Sequence, residues 1–166
     1  MSIREEIKEK LSRAIIDWNE HSLRRVYIFI KQKDLKTTVT LLFKELGLRF
    51  ITASGQENPD GFEIIYHFSA DASGEVISLR VNLEDKKNPT VDSITPIIIG
   101  AEWIEREIWE LLGVNFIGHP NLKRLLLAEE WPQGEFPLRH EHEDEHEDEH
   151  EHEHEHEHEH EHEHKD

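Results

Sequence analysis

The stretch Glu105-Arg106-Glu107-Ile108-Trp109-Glu110-Leu111-Leu112-Gly113-Val114-Asn115-Phe116-Ile117-Gly118-His119-Pro120-Asn121-Leu122-Lys123-Arg124-Leu125 decides how the chain is read. As a helix, it places Ile104, Ile108, Leu111 and Leu112 on one stripe at spacings of four, three and one. That stripe faces a core. Trp103 and Trp109 point to the other side with Arg106 between them, and a helix apolar on two sides is usually buried on two sides. Glu107 borders the stripe and Glu105 lies at its far edge. Arg106 is spaced to pair at i,i+4 with both Glu102 and Glu110. Gly113 suits a left-handed helix end. A turn-rich Gly118-His119-Pro120 follows, then the apolar Leu122, Leu125, Leu126 and Leu127. On pattern alone, a capped amphipathic helix with a loop behind it explains the stretch as well as a docking element does.

Upstream, Ser2 with Glu5 makes a capping box, and Ile3, Ile7, Leu11, Ile15 and Trp18 recur at spacings that predict one long amphipathic helix. Leu23 to Ile30 reads as a buried strand. Asp34 is placed to cap a second helix carrying Leu35, Val39, Leu42, Phe43 and Leu46, closed by Gly47. Leu48 to Ala53 reads as a strand, with Ser54-Gly55 and Asn58-Pro59-Asp60-Gly61 as turns. Phe62–Ala70 and Glu75–Leu83 are strands joined by the four residues Asp71-Ala72-Ser73-Gly74. Lys86-Lys87-Asn88-Pro89 breaks the sheet. The expected fold is α+β: a mainly antiparallel sheet packed with two helices, then a third helix, an irregular arm and a disordered tail. The divisions are a globular domain over 1–127, a docking arm over 128–139 and a low-complexity tail over 140–166. His21, in an expected loop, and His67, opposite Phe62, Ile64, Tyr66 and Phe68, read as ordinary polar residues.

The formal charge of −18 is unevenly placed. From His140 onward there are 15 acidic residues and one Lys, so residues 1–139 carry 22 acidic and 18 basic residues, a net of only −4. Such a body gives no reason to expect nucleic acid or an anionic membrane surface. The absence of cysteine rules out disulfides, thiolate-held clusters and thiol nucleophiles in this chain. No apolar run approaches the ~20 residues of a membrane span, and no signal peptide is read at its start. The body offers no paired buried acids, no nucleophile with a base and no glycine-rich phosphate loop. The arm Trp131-Pro132-Gln133-Gly134-Glu135-Phe136-Pro137 carries two large aromatics that a solvated linker would lack, so it lies along a surface, its own or a neighbour's.

The first stretch resembles the signature of the 30 kDa (C) subunit family of respiratory complex I, which includes the equivalent subunit of membrane-bound NiFe hydrogenases and related ferredoxin-driven complexes. The family pattern is Glu-Arg-Glu, an acid after two free positions, two apolar residues, His or Lys after six more, a basic residue after three, and two apolar residues after one. Glu105-Arg106-Glu107, Glu110, Leu111-Leu112, His119, Lys123 and Leu125-Leu126 meet every position. Trp103, Glu130-Trp131 and Pro137-Leu138-Arg139 agree with the flanks, whereas His140-Glu141-His142 stands where relatives have a basic–acidic–aromatic run. The resemblance implies the α+β fold above and a non-catalytic structural subunit, with iron–sulfur clusters, and a NiFe centre in the hydrogenase case, held by neighbours. Its implied partners are the large catalytic subunit and the small iron–sulfur subunit, on the cytoplasmic side of a membrane. The interface residues are then Trp103, Glu105, Arg106, Glu107, Trp109, Glu110, His119, Pro120, Lys123, Arg124 and Trp131. His119 is either a loop anchor or an interface hydrogen-bond donor. The short domain and the tail lean toward a membrane-bound hydrogenase, the alternative being an NADH:quinone enzyme.

From Glu149 to His164 the tail alternates Glu and His strictly, and eleven of the 14 histidines lie from His140 onward. With no apolar residue to bury, the expectation is disorder. His142, His146 and His150 form two literal His-Glu-x-x-His spacings, but nothing would hold them on one packed helix face, so a zinc hydrolase is not expected. Loose nickel or zinc binding by His142, His146, His150, His152, His154 and His156 is expected, since imidazole suits both metals. A free-standing metal buffer is therefore a reading of another class. Calorimetric titration with Ni²⁺ is expected to show several weak sites on the full chain and almost none on a chain ending at Arg139; equal binding by both removes the tail from the account.

Overall fold

The computed structural model describes residues 2–140. Helix α1 (Ile3–Lys10) opens with the expected capping box: the Glu5 amide donates to the Ser2 hydroxyl at 3.3 Å and the Ser2 amide donates to the Glu5 carboxylate at 2.7 Å. The helix stops there. Ile15 and Trp18 belong instead to strand β1 (Ile15–Ser22), which pairs antiparallel with β2 (Arg25–Ile30). The long single helix expected over these residues is thus corrected to a helix and an edge strand. A bulge between Ile15 and Asp17 sets Ile15 and Trp18, three residues apart, opposite Ile30 and Ile28, so both still lean on the core. His21 consequently sits at the end of a strand, edge-on to the Tyr27 ring at 5.8 Å. Leu23 is 93% exposed in the connecting turn, outside β2.

Helix α2 (Leu35–Thr40) widens into a π turn over Leu41–Glu45 and ends at Gly47, whose φ is +66°. Asp34 does not cap it through its side chain; a short 3-10 turn (Gln32–Asp34) leads in instead. Strands β3 (Arg49–Asn58), β4 (Gly61–Ala70) and β5 (Glu75–Leu83) form a meander. The five-stranded order is β1-β2-β5-β4-β3, antiparallel except for the parallel β2–β5 pair. Phe62, Ile64, Tyr66 and Phe68 alternate onto the core face with Val26, Ile28, Leu79 and Val81. A second sheet, absent from the sequence expectation, pairs β6 (Thr90–Asp92) in parallel with β7 (Asn115–Ile117). Helix α3 (Glu102–Leu112), entered through a 3-10 turn (Ile99–Ala101), lies between these two strands in sequence.

Ser54-Gly55 continues β3 instead of turning it. Gly55 is where α3 crosses the sheet: a Cβ placed there would lie 2.8 Å from Leu112 Cδ1 and 3.0 Å from Ile108 Cγ2. A glycine inside a strand thus marks close approach of a packed element. Gly55→Val is expected to push α3 off β3 and to lower unfolding free energy by about 1–3 kcal/mol, the usual cost of overpacking. Urea unfolding of the two chains checks it.

Candidate interface site

Helix α3 spaces Glu102, Glu105, Arg106 and Glu110 so that successive members are three, one and four residues apart, which brings them toward one side. Glu105, Arg106 and Glu110 are all buried. Burying three charges is costly unless each is hydrogen-bonded, and each is. Glu105 accepts from the Ser93 hydroxyl, the Ile94 amide at 2.7 Å and the Thr95 hydroxyl at 2.8 Å. Glu110 accepts from the successive amides of Leu125, Leu126 and Leu127 at 2.8–3.2 Å. Arg106 donates through Nε to the Lys123 carbonyl at 2.9 Å and through Nη2 to the Arg124 carbonyl at 2.6 Å. The expected i,i+4 pairing of Arg106 with Glu102 and Glu110 is therefore corrected: all three side chains turn to the polypeptide folded over the helix. An irregular segment has no ladder of its own, so these side chains supply partners for its backbone.

His119 closes the same loop. Its Nδ1 accepts from the Asn121 amide at 3.0 Å, which puts the proton on Nε2. Nε2–H then donates to the Glu102 carbonyl at 3.1 Å, with Glu105 Oε2 3.9 Å away. The imidazole is fully buried, so the loop-anchor reading of His119 describes its geometry. The Asn121 side chain adds a bond to the Glu102 carboxylate at 3.1 Å. Burial pushes the Glu105 carboxyl above its ordinary range, opposed by its three donors and by His119. Burial likewise raises the Tyr66 hydroxyl far above its usual value, and the charges of Glu105 and Asp92 add to the effect.

The arm lies on its own domain. The Arg124 guanidinium donates to the carbonyls of Ala128, Glu129 and Trp131 at 2.6–3.1 Å, and Trp131 Nε1–H donates to the Glu135 carbonyl at 3.0 Å. At the far end, the Leu138 amide donates to the Leu111 carbonyl at 3.0 Å and Arg139 Nε donates to the Leu112 carbonyl at 2.8 Å. These carbonyls are among the orphans left by the last turn of α3, and a cation there also opposes the helix dipole. The Arg139 guanidinium lies over the rings of Phe62 (4.9 Å) and Phe136 (4.6 Å). Gly113, φ +71°, ends α3; a Cβ on it would meet the Phe136 ring at 2.6 Å and Arg139 Nη2 at 2.7 Å. The sequence reading gave no site role to Ser93, Thr95 or Arg139. Nothing in local pattern marks a Ser or Thr as the partner of an acid ten or twelve residues on.

The sequence-predicted interface residues thus divide in two. Glu105, Arg106, Glu110 and His119 are turned inward, and Arg124 is occupied along the arm. Trp103 is 67% exposed; Pro120, Lys123 and Trp131 are exposed, while Glu107 and Trp109 are half-buried. Leu126 and Leu138, at 61% and 56% exposed, join the outward set. The tail histidines from His142 to His156 lie outside the described residues. Among the described residues no cluster of three or more His, Cys, Asp or Glu side chains is arranged to hold a metal, and no helix is long and apolar enough to cross a membrane.

The chain is thus a small α+β domain whose buried helix charges fasten the irregular segment leading into a surface arm. The family model described as respiratory-chain NADH dehydrogenase, 30 Kd subunit, matches residues 28–148, and the chain belongs to that family. It is 32% identical over 157 residues to the J subunit of the NAD(P)H-quinone oxidoreductase of Prochlorococcus marinus (strain NATL2A), covering 82% of this chain and 88% of that protein. It is 26% identical over 140 residues to the C subunit of the NADH-quinone oxidoreductase of Citrifermentans bemidjiense, covering 82% and 84%. Against the C/D subunit of the NADH-quinone oxidoreductase of Bacteroides thetaiotaomicron it is 28% identical over 116 residues, covering 68% of this chain and only 20% of that longer protein. Its fold is similar to a trypsin-resistant fragment (1-134) of Nqo5, with a TM-score of 0.59, 21% identity and coverage of 72% and 96%. It is also similar to a chain of the membrane-bound sulfane sulfur reductase, an archaeal respiratory membrane complex, with a TM-score of 0.71, 19% identity and coverage of 81% and 80%.

Glu110→Ala leaves three neighbouring amides without their acceptor; the expected loss is about 2–3 kcal/mol, with fast amide exchange confined to residues 118–139 in hydrogen-exchange measurements. For Glu105 the sign follows from its raised pKa. The folded chain keeps a proton there at pH values where the unfolded chain has lost it, so this group's contribution to stability falls as pH rises from the ordinary glutamate range toward the raised value. Urea unfolding at a series of pH values is expected to show that slope in the natural chain and not in Glu105→Gln.

Proposed function

We propose that the chain is a non-catalytic structural subunit of the peripheral electron-transfer module of a complex I-like, membrane-bound oxidoreductase. The observation that carries this reading is the latch: two buried charges of α3, Arg106 and Glu110, hold the irregular 123–127 segment that leads into the arm, and Glu105 holds the 93–95 segment, instead of lining a reaction cavity. With that segment held, Leu126 faces outward from it, Trp131 and Leu138 from the arm, and Trp103 from α3. Fixed apolar and aromatic side chains of this kind are what subunit interfaces use as anchors, because little conformational entropy remains to be lost on association. Family membership and the relatives' names support the same reading.

The partners are proposed to be the large catalytic subunit and the small iron–sulfur subunit, which would hold the clusters, with membrane association on the cytoplasmic side arising through other subunits. The Glu/His tail favours a nickel-using member such as a membrane-bound NiFe hydrogenase, whereas the names of the relatives favour an NADH:quinone enzyme. Affinity purification from native membranes followed by mass spectrometry tests both points. A large assembly is expected, and its other subunits identify the enzyme. Trp103→Ala combined with Leu126→Ser is expected to lose those subunits while retaining its own unfolding midpoint. Elution of the natural protein alone, near 20 kDa by composition, would instead support the metal-buffer reading.

A further inference from the structure

Between α3 and the arm lies a cleft of about 350 Å³, lined by Trp109, Leu127, Trp131 and Phe136 together with the charged Glu110, Arg124 and Glu135. That volume falls at the small end for ligand sites, and suits one long side chain better than a cofactor. Most polar groups around it are already engaged. Glu110 receives the three amides, Arg124 is bonded to three carbonyls, and the Trp131 indole N–H is bonded to the Glu135 carbonyl. The Glu135 carboxylate has no ion-pair partner among the described residues. Two acids against the single cation Arg124 leave the lining with one net negative charge. The Phe136 ring in this wall already carries one guanidinium, that of Arg139, at 4.6 Å.

We propose that this cleft receives an arginine side chain of a neighbouring subunit, its guanidinium against the Trp109 and Trp131 rings and its charge on the Glu135 carboxylate. This rests on the subunit reading above. The chemistry selects arginine. The long apolar stem of arginine suits the Leu127 and Phe136 lining, a planar cation is attracted to tryptophan rings, and the Glu135 carboxylate in the same lining supplies the opposite charge. An apolar anchor would leave Glu135 desolvated beside it without a partner. Arginine and tryptophan are also the residue types that anchor interfaces, and anchors fill pockets.

The test is an NMR titration of the full chain carrying ¹⁵N-labelled tryptophan. The probes are the N-acetyl methylamides of arginine, lysine and leucine. The indole signals of Trp109 and Trp131 are expected to shift saturably with the arginine probe, while those of Trp18 and Trp103 stay in place. Glu135→Gln is expected to weaken the apparent affinity by about fivefold, the worth of one exposed ion pair, without touching the backbone carbonyl that holds Trp131. Equal shifts with the leucine or lysine probe, no saturable shift with any, or an unchanged titration of Glu135→Gln would each overturn the proposal. Co-purification reads the subunit assignment separately. An assembly that forms while the cleft ignores arginine removes this inference alone. Arginine binding by a chain that never joins an assembly removes the subunit reading and leaves the cleft's chemistry standing.

Discussion

Charged side chains buried on helix α3 must be given hydrogen-bond partners, and the chain supplies them from its own backbone and from the Ser93 and Thr95 hydroxyls. Glu105 is satisfied by the 93–95 segment, Arg106 by the carbonyls of Lys123 and Arg124, and Glu110 by the amides of Leu125, Leu126 and Leu127. Neither half is stable apart. An unpaired buried charge costs several kcal/mol, and an irregular loop pressed onto a protein surface without partners for its amides is similarly unfavourable. The two liabilities cancel where they meet. One helix therefore organises residues 118–139, which contain no helix or strand of their own.

The same helix is held to the sheet by shape. At Gly55 the absence of a side chain lets Ile108 and Leu112 rest on β3, and at Gly113 it lets Phe136 and Arg139 close over the helix end. One glycine sets the depth of α3 on the domain and the other sets the depth of the arm on α3. Arg139 then joins the layers: it bonds the terminal carbonyl of α3 and stacks on Phe62 of the sheet and Phe136 of the arm. Docked in this way, the arm is part of the domain's own surface.

Much of this was legible residue by residue. The strands Phe62–Ala70 and Glu75–Leu83 follow from alternation, the Ser2–Glu5 cap from its spacing, and the ends at Gly47 and Gly113 from the need for a positive φ. Ile15 and Trp18 mislead because a bulge in β1 lets residues three apart share the core face, as they would on a helix; only pairing with β2 separates the two. Ser54-Gly55 misled because a glycine that relieves a clash and a glycine that makes a turn look identical until the neighbour is known. Sequence pairs Arg106 with Glu102 and Glu110 because i,i+4 neighbours are visible in it, while carbonyls 17 and 18 residues away are not.

Sequence by itself determined the family signature, the α+β class, the core face of α3 and the strangeness of the Glu/His tail, all of which depend on residue identity and short-range spacing. Tertiary structure alone decided which signature residues face inward. Charged side chains are sorted by the partners available to them, and those partners are backbone groups that only a closed chain brings near. Arg106 and Glu110 thus hold residues 123–127 and Glu105 holds residues 93–95, while Trp103, Leu126, Trp131 and Leu138 are left exposed.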